Sequence, residues 1–143
     1  MTDLHMWLGV AVLAANVAGG VWGAVSWLRG EPSVVFWYLL RVAQATVTAQ
    51  VVLGLLLLAR GDSSPDGLHI AYGISPLVVA LFSEGFRVSA AQREVEGAGD
   101  VEALDRTEQI LLARRVALAE MGVMTIGLLL VVTLALRAMQ SGG

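Results

Sequence analysis

The sequence predicts an all-α protein, an integral membrane four-helix up-down bundle built from two similar helix pairs, with residues 1–143 forming one domain. Three observations predict it. Of the 143 residues, 57% are hydrophobic and only 15% charged, with a mean hydropathy of +0.74. A soluble domain this small cannot cover that much apolar surface, so its solvent is lipid. Four apolar stretches reach the roughly 20 residues that a spanning helix needs. Finally, Leu4-His5-Met6-Trp7-Leu8-Gly9-Val10 returns as Leu68-His69-Ile70-Ala71-Tyr72-Gly73-Ile74, each copy reading Leu-His-x-x-x-Gly-aliphatic and each opening an apolar run.

The first helix is expected over 4–28, ending in Trp27, a residue that favours the headgroup level. Gly30, Glu31 and Pro32 break it, and Ser33 is the N-cap of the second helix, 34–59. Phe36-Trp37-Tyr38 form an aromatic belt near its start. The segment 60–67, dense in turn formers, reads as a short exposed loop. The third helix is expected over 68–88, kinked at Pro76, which lacks an N–H and crowds the carbonyl of Tyr72. From Ser89 to Thr107 the chain turns polar and reads as a solvated loop, with helical extensions on both sides of a turn at Gly97 and Gly99. The fourth helix is expected over 108–137, and the Gln-Ser-Gly-Gly tail as disordered.

Every one of the nine basic residues is arginine, and their placement gives an orientation. Seven flank the first and third connections (Arg29, Arg41, Arg87, Arg93, Arg106, Arg114, Arg115) and two, Arg60 and Arg137, the other side. The positive-inside rule then puts loop 89–107 in the cytoplasm and both termini outside. Asp3 stands where a signal peptide carries basic residues, so the first segment is expected to stay in the mature protein. The arginine-only, alanine- and valine-rich composition points to a bacterium of high GC content, and so to the inner (plasma) membrane. Without cysteine there is no disulfide, thiolate zinc, iron–sulfur cluster or thiol catalysis. No clustered basic face suits a nucleic acid, and no hydrolytic or transferase site is evident.

His5 and His69 are the only histidines. Their helices enter from the same side, so they lie at one depth on diagonal helices of the bundle, where cofactors are held by facing side chains. An iron porphyrin takes one neutral imidazole on each face. Gly9 and Gly73, one turn further along the same faces, would let the porphyrin plane approach the backbone, and Gly54 and Gly127 would do the same on the flanking helices. Arg60, on the same outer side, is a candidate partner for a haem propionate. Two readings stand beside one bound haem b. The histidines are interfacial residues without a ligand, or they hold another metal, although two histidines without carboxylates make a poor zinc site.

The pattern Gln50-x-x-x-Gly54 ending one helix and Leu68-His69-x-x-x-Gly73 opening the next resembles one four-helix half of the haem A synthase family, and more loosely other small b-type cytochrome membrane proteins. The resemblance covers most of the chain in architecture and few residues in detail. It implies that His5 and His69 ligate b-type haem near the outer face. That family is built of two such halves and many members carry an extracellular cysteine pair; this chain supplies one half and no cysteine. Haem binding is what the resemblance carries over, and haem A synthesis is not.

The second helix has Arg41 and then Leu53-Gly54-Leu55-Leu56-Leu57; the fourth has Arg114 and then Ile126-Gly127-Leu128-Leu129-Leu130, which suggests a duplicated helix pair. Within the spans, Arg41, Glu84 and Glu120 fall near the cytoplasmic third, with Arg87 three residues after Glu84. Ionisable groups at that depth are costly, so they form either a proton or quinone-headgroup site or a structural ion cluster with snorkelling arginines. Asn16, Gln44, Thr46, Thr48 and Gln50 are expected to hydrogen-bond between helices, and Trp7, Trp22 and Tyr72 are candidates to line a haem pocket. The expectation is electron transfer with a quinol or protein partner, in a homo-oligomer or as a subunit of a larger complex. A non-redox accessory subunit and a haem carrier or sensor are the alternatives.

Overall fold

The computed structural model describes residues 2–61 and 67–141, and among these every regular element is helical. Four α-helices follow in order, α1 (Thr2–Leu28), α2 (Val34–Ala59), α3 (Gly67–Gly97) and α4 (Arg106–Ser141), with a 3₁₀ turn at Val101–Ala103 before α4. Each is long and apolar enough, by length and composition, to cross a membrane. At ~1.5 Å per residue, even α2, with 26 residues, exceeds a hydrocarbon core of about 30 Å.

The ends are set by local chemistry. α1 closes in a Schellman motif: Glu31 N–H donates to Ser26 C=O and Gly30 N–H to Trp27 C=O, both at 2.9 Å. Gly30 takes a φ of +67°, which costs a residue without Cβ nothing. Ser33 then caps α2 as expected, its Oγ accepting from Phe36 N–H at 3.3 Å and from Trp22 Nε1–H at 2.9 Å. α4 opens on a capping box: Glu108 N–H donates to Asp105 Oδ1 at 2.8 Å, and Asp105 N–H to Glu108 Oε2 at 2.9 Å.

The helix expected over 68–88 has the extension expected before the turn and runs on to Gly97, because Ala90 to Glu96 are mostly good helix formers. The break falls at Gly97–Gly99, with Gly99 at a φ of +75°. α4 likewise continues through Gln140 to Ser141; the rest of the expected disordered tail, and most of the loop expected at 60–67, lie outside the described residues. α3 stays helical on both sides of Pro76, and Ser75 Oγ donates to the Ala71 carbonyl at 2.7 Å in the turn before it.

α1 packs on α2 and α4, and α3 packs chiefly on α4 and more lightly on α2. The contacts are made by small residues. On α1 the buried stripe is Val12, Asn16, Gly19, Gly20, Gly23 and Ser26. A Cβ added to Gly23 would overlap Thr125 Oγ1 and the Phe36 ring, and one at Gly122 would come within 2.7 Å of the Trp27 indole. Close van der Waals packing of this kind is what would hold helices together in lipid, which offers no hydrophobic drive for them to associate. Two apolar clusters fill the interior: Phe36, Leu40, Ala43, Met121, Met124 and Leu128, and Val12, Val47, Val131 and Ala135. Many other large apolar side chains face outward, among them Leu28 at 84% exposed, Tyr38 at 72% and Trp7 at 65%.

Candidate functional site

The structure brings the two histidines together. The rings of His5, in the second turn of α1, and His69, in the first turn of α3, have centroids 6.2 Å apart and planes tilted by 58°. α1 and α3 barely touch elsewhere. At about 2.0 Å per metal–nitrogen bond, two imidazoles on opposite sides of one metal ion hold their centroids about 6 Å apart. The centroid separation is the one that two imidazoles sharing a metal ion would have.

Each ring is oriented by a neighbouring helix. His69 Nδ1 lies 3.1 Å from the Ala138 carbonyl of α4. A carbonyl can only accept, so Nδ1 carries a proton and donates it to Ala138. His5 Nε2 lies 3.3 Å from the side-chain amide of Gln50 on α2. His5 Nδ1 and Gln50 Oε1 are both buried without a hydrogen-bond partner. Turning the Gln50 amide so that Oε1 faces the ring lets it accept from Nε2–H and leaves Nδ1 as the lone-pair nitrogen. A buried acceptor with nothing to accept is costly; a metal ion would relieve it. Two imidazoles, oriented by a carbonyl and an amide, are a donor set that would suit haem iron. Among the described residues no group of three or more His, Asp or Glu side chains could hold a metal ion by itself.

The glycines near the pair divide. A Cβ on Gly54 would stand 3.2 Å from His5 Cε1, so Gly54 is what lets the ring lie against α2. Gly9 admits Gln50 instead, whose Nε2 would stand 3.3 Å from an added Cβ, and around Gly73 there is open space. Gly127, expected to serve the cofactor as Gly54 does, faces Ser83 of α3. It lies eleven residues before Ala138, roughly 16 Å along the helix. The two histidines are thus seated at unlike positions on α2 and α4, and the likeness between the leucine-rich stretches does not extend to the site. Arg60 is the C-cap of α2, six residues beyond Gly54, with an exposed side chain. Trp22 belongs to the opposite end of α1, bonded to Ser33, and cannot line a pocket at His5.

Arg41, Glu84 and Glu120 do converge, with Arg87 as the link. Arg87 donates from Nε to Glu84 Oε2 at 2.8 Å and from Nη1 to Glu120 Oε1 at 2.7 Å. Arg41 Nη1 and Gln44 Nε2 both donate to Glu84 Oε1 at 2.8 Å, and the Arg87 guanidinium sits 5.8 Å from the centre of the Trp37 ring. Two arginines and two carboxylates cancel, so the cluster adds no net charge to the span. Of the polar residues expected to bond across helices, only Gln44 and Gln50 do. Asn16, Thr46 and Thr48 donate to carbonyls of their own helices, the local option open to short polar side chains.

The valine layer of Val12, Val47 and Val131 separates the histidine pair from the ion cluster. Below it lies a void of about 10 Å³ lined by Asn16, Gln44 and Ser83 among others, just large enough for one water molecule. Comparison of the chain with protein families, curated proteins and solved structures finds no match.

Proposed function

We propose that this protein is a small membrane cytochrome b, in which His5 and His69 ligate one haem between α1 and α3 and single electrons pass to or from a quinol or a protein partner. The observation that carries the reading is the 6.2 Å separation of the only two histidine rings in the chain. Haem held by both His5 and His69 would supply a one-electron carrier, which favours electron transfer over oxygen binding.

The chain's own residues hold and tune that site. Ala138 and Gln50 fix the ring orientations, Gly54 gives His5 its place against α2, and the open space beside Gly73 leaves room for the macrocycle. Arg60 is the candidate propionate partner on the same side. The helices run up and down in this account. The start of α1 meets the end of α2, and the end of α1 meets the start of α2 through Gly23 and Phe36. With the arginine bias, the histidine end faces outward and the α3–α4 connection faces the cytoplasm, in a bacterial inner membrane. The Arg41–Glu84–Arg87–Glu120 cluster is a neutral brace at the cytoplasmic third, with each carboxylate paired with an arginine.

Haem titration of the detergent-purified apoprotein tests this reading. One haem per chain is expected from the rise of the Soret band, and His5→Ala and His69→Ala should each weaken binding at least tenfold while far-UV circular dichroism keeps its helical signal. A wild type that binds no haem, or variants that bind it as well, would overturn the proposal in favour of a non-redox membrane subunit.

A further inference from the structure

On the outer side of the α3–α4 pair, away from the ion cluster, lies an open groove of about 490 Å³. That is within the roughly 300–1,000 Å³ of pockets that take a small molecule. Its walls are apolar, with Val78, Phe82 and Phe86 on α3 and Ile126 and Leu130 on α4. Gly127 forms part of its floor. The Phe82 and Phe86 rings stack at 6.4 Å and are each 63% exposed. At one end the lining turns polar, at Ser89 and Arg93.

Arg93 makes no ion pair or hydrogen bond among the described residues; the neighbouring Glu94 is engaged by Arg115 at 3.5 Å, and Glu96, a turn further on, is exposed. From Val78 to Arg93 the groove is about 22 Å long at ~1.5 Å per residue, close to the roughly 20 Å from the headgroups to the bilayer midplane. We infer that this groove is a binding site for one anionic phospholipid of the cytoplasmic leaflet, its acyl chain along Phe82, Phe86 and Ile126 and its phosphate on Arg93. Length, apolar walls and a cation at the mouth match an amphiphile of that shape and charge. The inference rests on the membrane-spanning reading and is independent of the haem.

Native mass spectrometry of the detergent-solubilised protein, incubated with equal amounts of phosphatidylglycerol and phosphatidylcholine of one chain length, tests it. One retained phosphatidylglycerol is expected, preferred about fivefold, the size of one arginine's attraction to an anionic lipid surface. Arg93→Gln should abolish the preference with helicity unchanged, Ile126→Trp should reduce retention of both lipids, and glycerol 3-phosphate should not displace the bound lipid. Equal retention of the two lipids, or an unchanged preference in Arg93→Gln, would overturn the inference. So would a dimer that Ile126→Trp dissociates, because the groove would then be an interface between copies. A chain that stays monodisperse without detergent would instead refute the membrane-spanning reading itself.

Discussion

Replacing Arg87 by methionine removes the one group that bonds both carboxylates of the inner cluster, and the structure sets the cost. Glu84 keeps Arg41 and Gln44 as partners, but Glu120 has no other partner among the described residues than Arg87 Nη1 at 2.7 Å. The side chains of Arg87, Glu84 and Glu120 are 24%, 29% and 20% exposed. Breaking a fully buried ion pair from one side costs about 3–5 kcal/mol; discounting for this partial exposure leaves about 2–3 kcal/mol for Arg87→Met. Arg41 is 57% exposed and its loss leaves Glu84 still paired with Arg87, so Arg41→Met should cost no more than ~1 kcal/mol. Adding Glu120→Gln to Arg87→Met removes the stranded charge and should recover ~1–2 kcal/mol. The assay is reversible unfolding in mixed micelles titrated with sodium dodecyl sulfate, followed by far-UV circular dichroism. If Arg41→Met costs as much as Arg87→Met, or the double variant is no better than Arg87→Met alone, Arg87 does not compensate Glu120 and the reasoning fails.

Other substitutions separate the site from the scaffold. Gly54→Leu should push the His5 ring off α2 and lower haem affinity at least tenfold in a Soret titration, with helicity kept. Gly73→Ala meets no atom within 4 Å. It should leave the apoprotein as stable or up to ~1 kcal/mol more so in the same micelle assay; a loss of haem binding there would assign the space to the macrocycle. Gly23→Val drives a side chain into Thr125 and the fully buried Phe36, and should lower stability by about 1–3 kcal/mol. Ser33→Ala removes both the α2 cap and the Trp22 partner and should cost ~1 kcal/mol, with a change in indole fluorescence.

Helix existence was legible in the sequence because a span needs only length and apolarity, and Ser33, Gly30 and the Gly97–Gly99 break are local signals. The nearness of the two histidines was legible too, because each copy of the motif opens a long apolar helix, and the two rings lie 6.2 Å apart. What sequence could not show is which residues of α2 and α4 face the rings. Leucine-rich stretches look alike whatever their depth, so Gly127 read like Gly54, although it sits about three turns further from the histidines. Gln50 was in view as a span residue, but its role beside His5 depends on the register between α1 and α2. Arg87 stood out in sequence only by its position three residues after Glu84; its second bond, to Glu120, is a tertiary fact.

The central claim is that His5 and His69 are the two axial ligands of one haem, and a dithionite-reduced-minus-oxidised spectrum of the purified protein, beside His5→Ala and His69→Ala, tests it most directly. The account predicts a sharp b-type alpha band in the wild type that either substitution weakens or abolishes. A wild type that stays colourless after haem is added, or a band indifferent to both substitutions, would contradict it.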